Sequence, residues 1–290
     1  MRIEELESGQ MPTEEQLVRK AATNEEAMEV AAKIIADVRE NGDEALRRYN
    51  FEFDKVKRRL LRVSDEEITR ATRLVPRYVM EALTRASKNI RDFHERQQQQ
   101  SWFLTRPDGS LLGSRVTPLQ SVGIYVPGGR ACYPSTVLMN AIPAQVAGVP
   151  RIVMVTPPHE DGFVEHTVLA AAQLAGVSEI YTVGGAQAIA ALAYGTEEIP
   201  AVDKITGPGN EYVAAAKRLV HGDVGIDMIA GPSEVCILAD ESADPSFVAA
   251  DLLAQAEHDP QACTYLVTTD EDLVDEVIEK IEMLLGESTR

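Results

Sequence analysis

From about Ser121 onward, runs rich in β-branched and aromatic residues alternate with Ala-rich stretches at helical spacing, and no other feature limits the possible folds as tightly. The β-like runs are SVGIYV, RIVMVT, EIYTVG, VDKIT, IDMIA, EVCILAD and ACTYLVTT. Between them lie STVLMNAIPAQVAGV, AQAIAALAYG, NEYVAAAKRLV and SFVAADLLAQA. A strand-helix-strand rhythm links neighbouring strands through crossovers, so the strands are expected to run parallel, with helices covering both sheet faces.

The first hundred residues are expected to be mostly helical. Between Thr23 and Asn41, residues Ala27, Val30, Ala31, Ile34, Ile35 and Val38 recur on one helical face, opened by a capping box of Thr23 with Glu26 and closed by Gly42. A second box, Ser64 with Glu67, opens another helix that Pro76 must break or restart. Beyond it, Val79, Leu83, Ala86, Ile90 and Phe93 form one apolar stripe. Asp108-Gly109 between short apolar runs signals a hairpin whose two turn positions take positive φ. Gly/Pro clusters near Thr117-Pro118 and Gly231-Pro232 mark seams. The expected division is a first, discontinuous domain of residues 1–117 plus 233–290 and a second of residues 118–232.

Charge narrows the partners. Lys+Arg 28 against Asp+Glu 46 leaves a net charge of −18, which repels nucleic acid and acidic membrane surfaces. The opening residues MRIEELESGQMPTEEQ are polar and acidic, and no apolar run approaches the ~18 residues a membrane span needs, so a soluble, unexported protein is expected. Cys132, Cys236 and Cys263 are odd in number and widely spaced, which fits a reducing cytoplasm. Cys132 and Cys236 are expected to be buried as small hydrophobes.

Three strand-to-helix junctions are Gly-rich: Val126-Pro127-Gly128-Gly129, Gly184-Gly185-Ala186-Gln187 and Gly207-Pro208-Gly209-Asn210. Such junctions gather helix N-termini and free backbone amides beyond the carboxyl ends of parallel strands, where phosphates and riboses bind. Each alone also reads as an ordinary tight turn; three on one sheet point to a nucleotide. The usual G-x-G-x-x-G fingerprint is missing, because Gly207-Pro208-Gly209 continues Asn210-Glu211-Tyr212. The expected fold is therefore α/β, with two Rossmann-like lobes of largely parallel sheet lacking that fingerprint, preceded by a helical N-terminal region.

A second constellation is Gln255-Ala256-Glu257-His258-Asp259 at the end of a helical stretch. Gln255 and His258 are three apart, so both side chains lie on one face and can converge on one metal ion; stabilisation of His258 by the helix dipole accounts for it equally well. His94, His159, His166 and His221 have no partner at ligand spacing.

The stretch Ile226-Asp227-Met228-Ile229-Ala230-Gly231-Pro232-Ser233-Glu234-Val235 and the Gln255–Asp259 block resemble the diagnostic blocks of the histidinol dehydrogenase family. Gly123-Ile124-Tyr125-Val126-Pro127-Gly128-Gly129, Tyr133-Pro134-Ser135-Thr136-Val137, Gly184-Gly185-Ala186-Gln187-Ala188 and Lys204-Ile205-Thr206-Gly207-Pro208-Gly209-Asn210 resemble further family blocks, in the same order. The resemblance implies a four-electron oxidation of L-histidinol through L-histidinal to L-histidine, using NAD twice and one zinc ion per subunit. It implies that residues 118–232 face NAD, with Tyr125, Gln187 and Asn210 as contacts. Ser233 would contact substrate, and Gln255 and His258 would be zinc ligands that also face the substrate. A cytoplasmic homodimer is implied as well. The family's proton-transferring Glu-His pair and remaining zinc ligands fall beyond Arg290, so no catalytic residue is expected within this chain, which is expected to be inactive alone. The alternatives are a relative acting on another small alcohol, such as a sulfonated diol, or a non-catalytic fragment.

Overall fold

The computed structural model describes residues 3–7, 10, 13, 25–128, 132–159, 161–229, 234–257 and 262–287. These residues divide into two units, one within Asn24–Ile229 and the other within Ala230–Arg290 together with the described residues before 24.

The first unit opens with α1 (Glu25–Phe53), α2 (Asp65–Leu74), α3 (Arg77–His94) and a hairpin of β1 (Trp102–Thr105) and β2 (Leu111–Ser114). It continues through β3 (Ser121–Tyr125), α4 (Pro134–Val146), β4 (Arg151–Thr156), α5 (His166–Leu174), β5 (Glu179–Thr182), α6 (Gly185–Tyr194), β6 (Lys204–Thr206), α7 (Glu211–Val220) and β7 (Gly225–Ile226). Five strands form one parallel sheet in the order β5-β4-β3-β6-β7. The chain thus builds outward from β3 in one direction and then from β6 in the other, the doubly wound order of a Rossmann-type sheet.

Strand alternation sorts the side chains onto two cores. Tyr125, Val153, Val155, Tyr181 and Ile205 share one with α1, α6 and α7. Val122, Ile124, Ile152, Met154 and Ile180 share the other with residues of α2, α3, α4 and α5. A Cβ on Gly123 would sit 2.8 Å from the Leu192 side chain, so glycine there lets α6 approach β3 closely. The helices of residues 25–94 therefore complete the layers of this sheet, whereas the sequence grouped them with residues 233–290. The physical reason is that both faces of a parallel sheet need cover, and α1 supplies apolar residues that α6 and α7 bury.

Local signals mostly hold. Ser64 caps α2 in a full capping box with Glu67, and Pro76 separates α2 from α3. The box at Thr23 lies outside the described residues. Gly42 breaks α1 without ending it: at φ 49° and ψ −131° the chain turns and a second helical run begins. Its N-terminus is capped from a distance, the Asp43 amide donating to Glu197 Oε2 at 2.9 Å. In the hairpin only Gly109 takes positive φ, and its amide closes the turn onto the Arg106 carbonyl at 2.9 Å.

The second unit holds β8 (Glu234–Ala239), α8 (Pro245–Ala256), β9 (Cys263–Thr268) and α9 (Glu271–Glu287), with β8 and β9 parallel. Val248, Ala249, Leu252, Leu273, Val277 and Ile281 pack against Ile237, Ala239 and Leu266. The opposite side of β8 carries Cys236 and Leu238, the latter 82% exposed. Cys236 and Cys132 are both exposed, contrary to the burial expected from their apolar surroundings. For Cys236 the cause is strand alternation, which turns it away from the helices.

Candidate functional site

In a doubly wound sheet the loops leaving the two central strands go to opposite faces and leave a crevice between them at the carboxyl end. Here those strands are β3 and β6, and the Gly-rich junctions flank the crevice. Gly207 takes φ 115°, and a Cβ there would lie 2.2 Å from the Tyr125 carbonyl oxygen, so the turn after β6 rests directly on the end of β3. A Cβ on Gly128 would meet the Pro157 ring at 2.8 Å, and one on Gly184 would meet it at 2.6 Å. Pro157, just beyond β4, thus fills the space between its two neighbouring turns, with Gly128 exposed on one side and Gly184 buried on the other.

The expected contacts Tyr125, Gln187 and Asn210 all sit at this end. Tyr125 closes β3 and is buried; its hydroxyl accepts a hydrogen bond from the Gly185 amide at 3.2 Å, bracing β3 against the start of α6. Burial pushes its phenol up to about 12, so it stays protonated and retains a hydrogen to donate. Gln187, in the first turn of α6, is buried, and its Oε1 has no hydrogen-bond partner. That oxygen lies where a Cβ on Gly185 would come within 2.5 Å of it, and Gly185 takes φ 63°, so only glycine suits the position. Asn210 is the N-cap of α7; its Oδ1 accepts from the Val213 amide at 3.0 Å, leaving the amide NH₂ at an exposed position. The free end of each helix also places a positive dipole toward the crevice.

A clamp that the sequence did not reveal holds the turn after β6. The buried Lys217 ammonium donates to the Gly207 carbonyl at 3.0 Å and pairs with Asp227, whose other oxygen accepts the Gly207 amide at 2.8 Å. Both polar groups of Gly207 are thereby fixed by one ion pair joining α7 to the segment after β7.

Four buried polar side-chain atoms among the described residues lack partners: Asn50 Oδ1, Asp54 Oδ2, Gln187 Oε1 and Thr206 Oγ1. All four fall at the carboxyl end of this sheet. Thr206 closes β6, Gln187 follows β5, and the Asn50 amide donates to the carbonyl of Thr182, the last residue of β5, at 2.7 Å. Asp54 follows the end of α1, near enough to Tyr125 to raise that phenol electrostatically. Buried polar groups are normally paired, so four unpaired ones along one end of a sheet single that end out as a candidate ligand site.

The sequence model of histidinol dehydrogenases matches residues 17–290. The chain belongs to the histidinol dehydrogenase family. It is 57% identical over 261 residues to a histidinol dehydrogenase of Geobacillus kaustophilus, covering 90% of this chain and 62% of that protein. The histidinol dehydrogenase of Bacillus subtilis is 54% identical over 264 residues, covering 91% of this chain and 62% of the relative. Among solved structures, a histidinol dehydrogenase from Elizabethkingia anophelis matches with a TM-score of 0.84 and 41% identity, over 94% of this chain and 62% of that one. The chain thus spans about three-fifths of the length of these histidinol dehydrogenases.

The groups this family implies can be tested against the residues present. The crevice fits a dinucleotide: it offers unpaired acceptors, Gly-enforced backbone approach and two helix N-termini. Zinc does not find a site among the described residues, where no group of three or more His, Cys, Asp or Glu side chains is placed to hold a metal ion. Gln255 lies on the last turn of α8, while His258 and Ser233 fall outside the described residues. Among the described residues, the one neutral amide oxygen of Gln255 does not make a zinc centre.

Asn50, Asp54, Thr206 and the Lys217–Asp227 pair escaped the sequence reading. Asn50 and Asp54 lie within or just after a helix that ends at Phe53, far before β3 opens at Ser121, where an acid or amide ordinarily reads as solvated, and only the packing of α1 on the sheet brings Asn50 to the end of β5.

Proposed function

We propose that the carboxyl end of the five-stranded sheet binds NAD, and that the full-length protein is an NAD- and zinc-dependent L-histidinol dehydrogenase that makes L-histidine through L-histidinal. The observation that carries this is the presence of unpaired buried polar atoms along the carboxyl end of a doubly wound sheet in a member of this family. Bound there, NAD supplies the hydride acceptor. Gln187 offers an amide and Tyr125 a hydroxyl to the dinucleotide, while Asn210 offers its outward amide. Ser233, Gln255 and His258 are assigned to the substrate side, with Gln255 and His258 also as zinc ligands. The 290-residue chain is expected to bind NAD. Among the described residues no helix is long and apolar enough to cross a membrane. A cytoplasmic homodimer belongs to the same proposal.

The test is calorimetric. NAD at a hundredfold excess over its Kd stabilises the folded chain by about 2.7 kcal/mol, which raises Tm by roughly 5 °C or more. No change in Tm at millimolar NAD would remove the nucleotide site. In parallel, the full-length protein is expected to yield NADH from histidinol and none from sulfonated diols; the reverse preference would transfer the assignment to another alcohol.

A further inference from the structure

Resting on the NAD reading above, we propose that Asp54, supported by Asn50, is the acceptor for the hydroxyls of the adenosine ribose, and that it makes the site select NAD over its 2′-phosphorylated form. In the usual doubly wound site an acid close to the end of the second strand performs this task. Here β4 is that strand, and it ends in Thr156-Pro157-Pro158; the Pro157 ring is committed to filling the space between the turns after β3 and β5. The acid must come from elsewhere, and α1 delivers one.

Three observations place Asp54 on the adenosine side. Its anchoring neighbour Asn50 is fixed to Thr182 at the end of β5, in the half of the sheet formed by β3, β4 and β5. That half corresponds to the mononucleotide unit that carries adenosine in a doubly wound fold, whereas Asn210 and Thr206 belong to the half of β6 and β7. Next, Asp54 Oδ2 and Asn50 Oδ1 are both buried acceptors without partners, and Asn50 is only 1% exposed. Two unpaired acceptors on residues one helical turn apart, joined by the Asp54 amide donating to the Asn50 carbonyl at 3.1 Å, complement a cis-diol, which offers two O–H donors. Finally, Asp54 raises the Tyr125 phenol electrostatically, and the Tyr125 hydroxyl is tied to the first amide of α6, so the acid and that residue act in one electrostatic environment at this end of the sheet. Burial alone holds the Asp54 carboxyl up to about 6, and no cation offsets that cost; donors from a ribose do. A 2′-phosphate would bring its charge against the same carboxylate and remove one of the two donors.

Isothermal titration of the 290-residue chain with NAD, NADP and ADP-ribose tests this. The parent chain is expected to bind NAD and ADP-ribose, and NADP at least about tenfold more weakly. Asp54→Ala should weaken both NAD and ADP-ribose about tenfold or more, the size of a lost charged hydrogen bond. Asp54→Asn, which keeps the shape, should narrow the NAD-to-NADP ratio toward one, with circular dichroism confirming an unchanged fold. If Asp54→Asn binds NAD and discriminates against NADP as the parent does, the ribose role is overturned while the NAD site stands. If the parent chain binds neither NAD nor ADP-ribose, the NAD reading itself fails and this inference with it.

Discussion

Asp54 shows how a single residue can be set against the stability of the fold. Its carboxyl is raised by burial from 3.8 to about 6, so the folded protein holds the proton more tightly than the unfolded chain. The resulting stabilisation is complete below about pH 3.8 and is lost as the pH rises through about 6. Asp54→Asn mimics the neutral form at every pH. It is therefore expected to have a higher urea midpoint than the parent at pH 8, with the gap closing toward pH 5; a gap of constant size across that range would show that the carboxylate carries no burial penalty. A residue that costs stability at neutral pH fits a functional role better than a structural one. Gln187 tells the same story in neutral form, since its buried Oε1 lacks a partner within the fold. The sequence exposed Gln187 through its place beside Gly184-Gly185, but gave no sign of Asp54, because an acid after a helix has the same appearance whether solvated or buried.

At the scale of elements, the site depends on turns whose shape is enforced by packing. The turn after β6 is held at both polar groups of Gly207 by Lys217 and Asp227, and Lys217 is only 3% exposed. Lys217→Met removes the cation, leaves the Gly207 carbonyl unpaired and strands Asp227, which is 30% exposed. Breaking a fully buried pair costs about 3–5 kcal/mol, and the partial exposure of Asp227 puts the expected loss near 3 kcal/mol. Chemical denaturation measures it, and a loss below about 1 kcal/mol would mean that the turn is held by other contacts. Element boundaries with a covalent or hydrogen-bonding cause were legible beforehand: Ser64 with Glu67 opens α2 and Pro76 ends it. Gly42 was not, because the residue that lets the helix restart there, Glu197, is 155 positions away.

For the molecule as a whole, the β1–β2 hairpin presents Trp102, Phe103 and Leu111, each at least 60% exposed. Phe103 and Leu111 share one face of the hairpin and Trp102 lies on the other; such exposed apolar side chains suit an association surface, and a second copy of this chain is the occupant consistent with the proposed homodimer. The parent chain is expected to elute as a dimer by light scattering at micromolar concentration, and the pair Trp102→Ser and Phe103→Ser to shift it to monomer. A monomeric parent would rule out self-association through this hairpin. The acidic net charge of −18 opposes association, so added salt should favour the dimer.

The sequence by itself determined the parallel α/β class, the three glycine junctions and the family, because strand and helix periodicity, the steric demands of glycine and local motifs all act over short stretches of chain. It did not determine which layer the N-terminal helices join, which cysteines are exposed, or which polar groups are left unpaired. Those were decided by tertiary structure, since burial and hydrogen-bond satisfaction depend on what packs across a sheet. Asn50 meets Thr182, and Lys217 meets Gly207, only once α1 and α7 lie down on the same face.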